Sequence, residues 1–311
     1  MSNLKKKLKQ NKIIFALYEQ YQKMENKFLC ELTVVAPEIV SKIRYKRNFQ
    51  RKLNLKNPKY FNEKLMWLKL KKYANDPLVI QCADKYAVRE YVETCGLGHT
   101  LVEFLGVWDR PEEIPWDTLP ERFAMKCNHG CGYNLICQDK TKLDIKKAEE
   151  KLNAWLKDDF WKEYAEVQYR KIPKKIICEG YIEGNDSALP VDYKIYCFNG
   201  KPLYIGNFIE RDIVTDHIQR GYFDLDWNPS DVFKGEMDPT LFEKPGCLDE
   251  MLKYAEILSK PFPFVRVDFY EVKGKIYFGE LTFTPTGCLA TYYTDKAELE
   301  LGELLDVNGN P

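Results

Sequence analysis

The sequence predicts a mixed α+β protein of more than one lobe, built from helices and antiparallel hairpins. Two turn signals and the order of the elements point there. Asn199-Gly200 and Lys273-Gly274 each separate two strand-like runs, the pattern that closes a tight hairpin. Helices fall between such hairpins rather than alternating singly with strands, which disfavours a parallel doubly wound sheet. At 311 residues the chain is long enough for two or three lobes with substantial cores.

Taken in order, Leu4, Leu8, Ile13, Ile14, Leu17, Tyr21, Met24 and Phe28 follow a helical period over residues 4–30. Pro37 and the basic stretch Arg44 to Lys56 interrupt it. Asn57-Pro58 then opens a helix from Phe61 to Tyr73 on an apolar stripe of Leu65, Trp67 and Leu68. Residues 1–72 are read as a basic helical N-terminal extension. An amphipathic helix through Tyr91, closed by Gly96-Leu97-Gly98, and a strand-like run at 100–107 make an N-terminal subdomain over 73–122. Phe123 to Lys126 and Leu135 to Cys137 are short strands joined by a glycine-containing loop. A helix at 143–164 with Trp155, Phe160 and Trp161 follows, then the strand Ile176 to Glu179, completing a lid subdomain over 123–183. Residues 184–311 hold a hairpin of 191–198 and 202–208, a polar loop-rich region to 245, a helix at 248–259, and strands at 263–271 and 275–283.

A hydrophobic content of 45% excludes a disordered chain. No apolar run is long enough to span a bilayer, and the N-terminus lacks the apolar core of a secretory signal, so a cytoplasmic protein is expected. The ten cysteines are scattered through apolar runs, as buried thiols would be. Cys127, His129, Cys131 and Cys137 form one loose cluster with no second hook, a poor match to a zinc site. Net charge is zero, yet residues 1–72 carry 19 Lys and Arg against 5 Asp and Glu. That asymmetry suits an anionic partner, such as a membrane surface, a polyanionic glycan or nucleic acid; a solvated helical face is the plainer alternative.

The densest chemistry lies in the last hairpin. Asp268 and Glu280 sit symmetrically about Lys273-Gly274, as opposite or diagonal neighbours. Two adjacent carboxylates repel unless a cation lies between them, and Mg²⁺ takes one or two carboxylates together with phosphate oxygens. Arg266 falls two residues before Asp268 and shares its face. A polar exterior face on an ordinary hairpin would read the same way. Upstream, Lys126 ends a strand and runs into a loop with Gly130 and Gly132, where backbone N–H groups can approach phosphate oxygens. Cys178 to Gly184 forms a connector able to offer backbone groups to an adenine edge.

These pieces, in this order, resemble the ATP-grasp superfamily, and more closely its TupA-like branch, named for teichuronopeptide synthesis. The matching pieces are Asp84-Lys85 with Val88 to Val92, Met125 to Gly130, Asp192 to Tyr196 and Glu280 to Pro285, within residues 58–293. The resemblance implies an ATP-grasp fold, two α+β lobes clasping ATP. It implies that Lys85, Lys126 and Lys194 contact phosphates and that the 128–134 loop, with His129, Gly130 and Gly132, closes over them. Glu179, Tyr181 and Ile182 would form the adenine hinge, Asp192 or Glu183 would hold the ribose, and Arg266 would steady developing negative charge. Asp268 and Glu280 would hold Mg²⁺. Thr282 stands where the superfamily often has a metal-binding Asn, and its hydroxyl is a weaker oxygen ligand.

The activity implied is ATP- and Mg²⁺-dependent joining of a carboxylate and an amine through an acyl phosphate. The branch points to an anionic, uronic-acid-containing surface glycan or its precursor as acceptor and an amino acid or amine as co-substrate. The basic N-terminus would add a peripheral contact at the inner face of the membrane; nucleic acid is not expected. One rival is a capsule glycosyltransferase, for which Asp224-Leu225-Asp226 would be the metal motif. Another is a nucleotide- or glycan-binding scaffold without turnover.

Overall fold

The computed structural model describes residues 12–184, 190–212 and 217–308, so Leu4 and Leu8 lie outside the described residues. Its two antiparallel sheets are built as the hairpin signals demand. The first contains β1 (Phe104–Trp108), β2 (Phe123–Cys127), β3 (Asn134–Cys137) and β4 (Ile176–Gly180), in the order β1-β4-β2-β3. Phe123, Met125, Cys127, Ile176 and Cys178 bury fully between this sheet and its covering helix. β1 comes from the 73–122 segment and pairs with β4, so this sheet draws on both segments.

The second sheet contains β5 (Val191–Phe198), β6 (Lys201–Asp212), β7 (His217–Phe223), β8 (Phe264–Val272) and β9 (Lys275–Thr282), in the order β7-β6-β5-β8-β9. Asn199 and Gly200 turn the first hairpin, and Lys273 and Gly274 the last, each pair at positive φ as a two-residue turn requires. β7 is a correction to the loop-rich reading of the region before 245. Its sequence, His217 to Phe223, sets Gln219, Arg220 and Gly221 between the β formers Ile218, Tyr222 and Phe223, and pairing with β6 carries the strand through that interruption.

Helices fill the rest. α1 (Lys12–Thr33), α2 (Pro37–Phe49) and α3 (Phe61–Trp67) come first, and α3 runs on through a π-helical turn at Leu68–Lys72. Val40, Tyr45, Leu53, Phe61, Leu65 and Leu68 are buried, most of them in the same core as the second sheet. The basic segment is therefore fastened to the body from Leu29 and Thr33 onward. Next come α4 (Pro77–Ala83) and α5 (Val88–Thr94). The helix expected over 143–164 is broken. α6 (Ile145–Lys157), N-capped by Asp144, ends where Asp158 turns extended, and a single turn, α7 (Trp161–Tyr164), follows. The Asp158 carboxylate accepts the Tyr133 hydroxyl at 2.5 Å, a contact that a continuing helix would redirect. α8 (Leu248–Ser259) covers one face of the second sheet and α9 (Asp295–Leu304) packs on α3.

Candidate active site

The uncovered face of the second sheet is polar because of its register. Tyr222, Gly206, Lys194, Asp268 and Glu280 are successive partners across β7, β6, β5, β8 and β9, so they share one face. The next rung carries Tyr196, Arg266 and Thr282. Arg266 clamps Asp268 with two parallel bonds, Nε to Oδ1 and Nη2 to Oδ2, both 2.6 Å. Lys194 Nζ lies 2.7 Å from Asp268 and 2.7 Å from Asp192. Arg266 also donates to Thr282 Oγ1 at 3.0 Å, and Thr282 donates to Glu280 Oε1 at 2.9 Å.

The glycine loop reaches this face through Lys85. Its Nζ donates to the Gly130 carbonyl at 2.7 Å and lies 3.4 Å from Glu280 Oε2. Asn128, fully buried, fixes both ends of that bridge. Its side chain donates to Asp84 at 2.8 Å and to the Pro173 carbonyl at 2.9 Å, while its carbonyl accepts the Lys85 N–H at 3.3 Å. Gly130 is packed so tightly that a Cβ would lie 2.8 Å from Phe160 and Tyr133. Gly132, at φ +81, faces open space. The His129 ring turns the other way, into the body. It is 3% exposed, lies 5.2 Å from the Tyr133 ring and meets the Trp155 carbonyl at 3.2 Å. Burial and nearby Lys174 push its pKa down.

A second polar cluster sits on the first sheet. Glu179, nearly buried, receives Lys126 at 2.7 Å and Arg89 of α5 at 3.0 Å. Beside it the two sheets enclose a cavity of about 190 Å³, lined by Lys126, Glu179, Tyr181 and Ile182 on one side and Tyr270 and Phe278 on the other. That is below the roughly 300–1,000 Å³ of a whole-ligand cleft, so it accommodates part of a ligand. Glu183 pairs with Arg122 at 2.8 Å on the exposed rim, and Arg122 covers the Tyr181 ring.

A family model described as TupA-like ATP-grasp matches residues 63–306. The chain belongs to the TupA-like ATP-grasp family. No curated protein matches it. Among solved structures it is similar to D-alanine–D-alanine ligase from Bacillus anthracis complexed with ATP, at 17% identity and TM-score 0.44 over 74% of this chain and 66% of that one. An L-amino acid ligase from Bacillus licheniformis aligns at 14% identity and TM-score 0.43, over 73% of this chain and 48% of that one. This chain thus spans about half to two thirds of the length of such structures. The expected fold class holds: a mixed α+β ATP-grasp protein with N-terminal helices.

Within this ATP-grasp site the electrostatics are set by close cations. Burial raises the Glu280 carboxyl, but Lys85, Arg266 and Lys194 outweigh it and hold it well below the usual carboxylate range. Asp268 is 2% exposed, and burial pushes its carboxyl up against the pull of Arg266 and Lys194. Asp268 and Glu280 lie directly opposite; both Asp268 oxygens are engaged by Arg266 and Lys194, while Glu280 is kept ionised and is a third exposed, the kind of hard oxygen donor that a small divalent cation takes together with phosphate oxygens. The zinc reading finds no such donor set. Cys127 ends β2 while Cys137 pairs with Phe123 at its other end, and among the described residues no group of three His, Cys, Asp or Glu is placed for a metal. Asp224 of Asp224-Leu225-Asp226 is committed to a turn, accepting the N–H groups of Asp226 and Asn228 at 3.0 and 2.8 Å.

Several residues escaped sequence reasoning. Arg89 falls in the matching piece Val88 to Val92, but the resemblance assigns it no role. Glu166, Gln168 and Thr284 form a buried polar network, with Thr284 Oγ1 donating to Glu166 at 2.5 Å and accepting from Gln168 at 3.0 Å. It supports the turn after Glu280, where Thr286, Gly287 and Cys288 are all at positive φ. Buried Lys69 holds that turn through the Gly287 and Tyr164 carbonyls, at 3.1 and 2.6 Å. Only Gly287 gave a warning; the partners are far apart in sequence.

Proposed function

We propose that this protein is an ATP- and Mg²⁺-dependent carboxylate–amine ligase acting through an acyl phosphate. The observation that carries the reading is Lys85, which joins the Gly130 loop to Glu280 and so brings the glycine loop and the carboxylate strand to one place. Lys85, Lys126 and Lys194 bind the triphosphate as point charges, with the 128–134 loop lying over it. Tyr181 and Ile182 border the base in the cavity between the sheets, and Asp192 or Glu183 holds the ribose. Glu179, wedged between Lys126 and Arg89, orients Lys126.

Glu280 and Asp268 would hold magnesium, with Thr282 steadying Glu280. The metal supplies charge neutralisation on the phosphate oxygens. The acceptor carboxylate oxygen attacks the γ-phosphorus, the bond to the β-phosphate oxygen breaks, and ADP leaves. The amine nitrogen then attacks the acyl carbon, phosphate departs and the amine releases a proton. Arg266, fixed by Asp268, faces the negative charge that develops.

The acceptor in this reading is a uronic-acid-containing surface polysaccharide or its precursor, and the amine an amino acid or similar compound. Support comes from the far end of the polar row. The Tyr222, Phe208 and Tyr196 rings close over Gly206, and beyond it lies a cavity of about 440 Å³ lined by Arg220, Tyr222, Phe233, Lys234 and Tyr292, with Glu236 and Asp238 also on its wall. Aromatic faces suit sugar rings and the two cations suit carboxylates. At one strand spacing per step, this platform begins roughly 14 Å from Asp268. The test is ADP release from Mg-ATP with a panel of uronic-acid sugars and amines. Release that requires both a sugar acid and an amine supports the reading; release indifferent to both counts against it.

A further inference from the structure

The N-terminal helix carries an apolar stripe that the ligase reading leaves without a role. α1 meets the body along one face. Leu29 is 3% exposed, Thr33 donates to the Lys162 carbonyl at 3.1 Å, and Glu25 is paired with Arg47 at 2.6 Å. The adjoining face presents Ile14, Leu17, Tyr21, Met24 and Phe28, which are 47, 61, 58, 66 and 64% exposed. Their spacing of three and four residues aligns them in one stripe of roughly 21 Å. A helix on a globular surface normally turns polar residues outward, and a continuous exposed apolar stripe marks a binding face.

The surroundings select the occupant. Lys27 is exposed on α1 near the stripe and Lys23 farther round, Lys46 is exposed on α2, and residues 1–72 carry 19 basic against 5 acidic residues. An apolar stripe on so basic a segment matches a bilayer interface with anionic headgroups, where apolar side chains enter the acyl boundary and cations stay at the phosphates. A second copy of the helix is the competing occupant, since α1 itself balances Lys12, Lys23 and Lys27 against Glu19, Glu25 and Glu31; the basic excess lies in the rest of residues 1–72, which favours an anionic surface. No helix among the described residues is long and apolar enough to cross a membrane, so the contact is one of lying on the surface.

We propose that α1 docks the protein on anionic lipid surfaces through the Ile14–Leu17–Tyr21–Met24–Phe28 stripe. This is independent of the ligase reading, and its test uses no activity. The full chain is sedimented with vesicles of phosphatidylcholine alone and of phosphatidylcholine mixed with phosphatidylglycerol. Binding is expected to the mixed vesicles and to weaken as salt rises. The double variant Leu17→Glu with Met24→Glu, and separately Leu17→Ser with Met24→Ser, should bind about tenfold or more weakly while melting as the parent does, since both positions are exposed. Lys23→Glu with Lys27→Glu should lose the preference for phosphatidylglycerol. Failure to bind mixed vesicles, or undiminished binding by both stripe variants, overturns the proposal. So does a concentration-dependent dimer in sedimentation velocity that the stripe variants abolish, because the occupant would then be a second copy.

Discussion

Glu280 faces Asp268 because Gly279 is an extra residue in β9. The hairpin pairs Phe269 with Phe278 near its turn, and beyond a bulge it pairs Asp268 with Glu280. Without the bulge, Asp268 would meet Gly279, and Glu280 would point to the opposite, apolar face. The bulge needs a residue without a side chain. A Cβ on Gly279 would lie 2.9 Å from the Asp268 carbonyl oxygen and 3.2 Å from the Tyr270 ring. Gly279→Ala should therefore reduce turnover about tenfold or more while the protein stays folded. ADP release measured alongside a circular dichroism melt checks this; unchanged turnover would deny the bulge its positioning role.

The two carboxylates should respond differently to neutralisation. The Asp268 side chain is 3% exposed between Arg266 and Lys194, and removing its charge strands two cations. Asp268→Asn should cost about 3–5 kcal/mol of stability as well as activity. The Glu280 side chain is 34% exposed. Glu280→Gln should abolish turnover and cost less stability than Asp268→Asn, because solvent screens a side chain that is a third exposed. Urea denaturation of both variants separates the cases.

Arg89 and Lys126 share Glu179 at 3.0 and 2.7 Å. If Glu179 orients Lys126, Glu179→Gln should raise the KM for ATP several-fold and leave acceptor KM unchanged. Lys126→Ala should do the same more strongly, and the double variant should add little, because residues acting as one unit are not additive. Steady-state kinetics with varied ATP reads this out.

Glu166 gives the fold a pH dependence. Burial raises its carboxyl to about 7, with Thr284 and Lys69 pulling it down. The folded state therefore keeps a proton that the unfolded chain has already lost, and stability falls as pH rises from the usual carboxylate range through about 7. The loss is on the order of 3 kcal/mol. Glu166→Gln should flatten stability over that window; a slope identical to the parent's would assign the effect elsewhere.

Both hairpins and the carboxylate pair were legible because turn residues and strand periodicity are local signals. Lys126 was visible as a lysine ending a strand before a glycine loop, whereas Lys85, ahead of a helix, was singled out only through the family resemblance. The bulge at Gly279 was not, since a glycine inside a strand signals a bulge without fixing its register. β7 was missed because Gln219, Arg220 and Gly221 interrupt its β-forming residues and β6 supplies the pairing. Thr284 lies more than a hundred positions from Glu166 and Gln168, and Lys69 bridges to carbonyls 95 and 218 positions away, so no spacing rule reaches them.

The central claim is that a carboxylate is activated as an acyl phosphate on the Lys194–Asp268–Glu280 face. Supplying an acceptor whose carboxylate carries ¹⁸O, with amine and Mg-ATP, tests it most directly. Phosphate released with ADP should contain one ¹⁸O atom from the acceptor. Unlabelled phosphate, or AMP and pyrophosphate as products, would contradict the account.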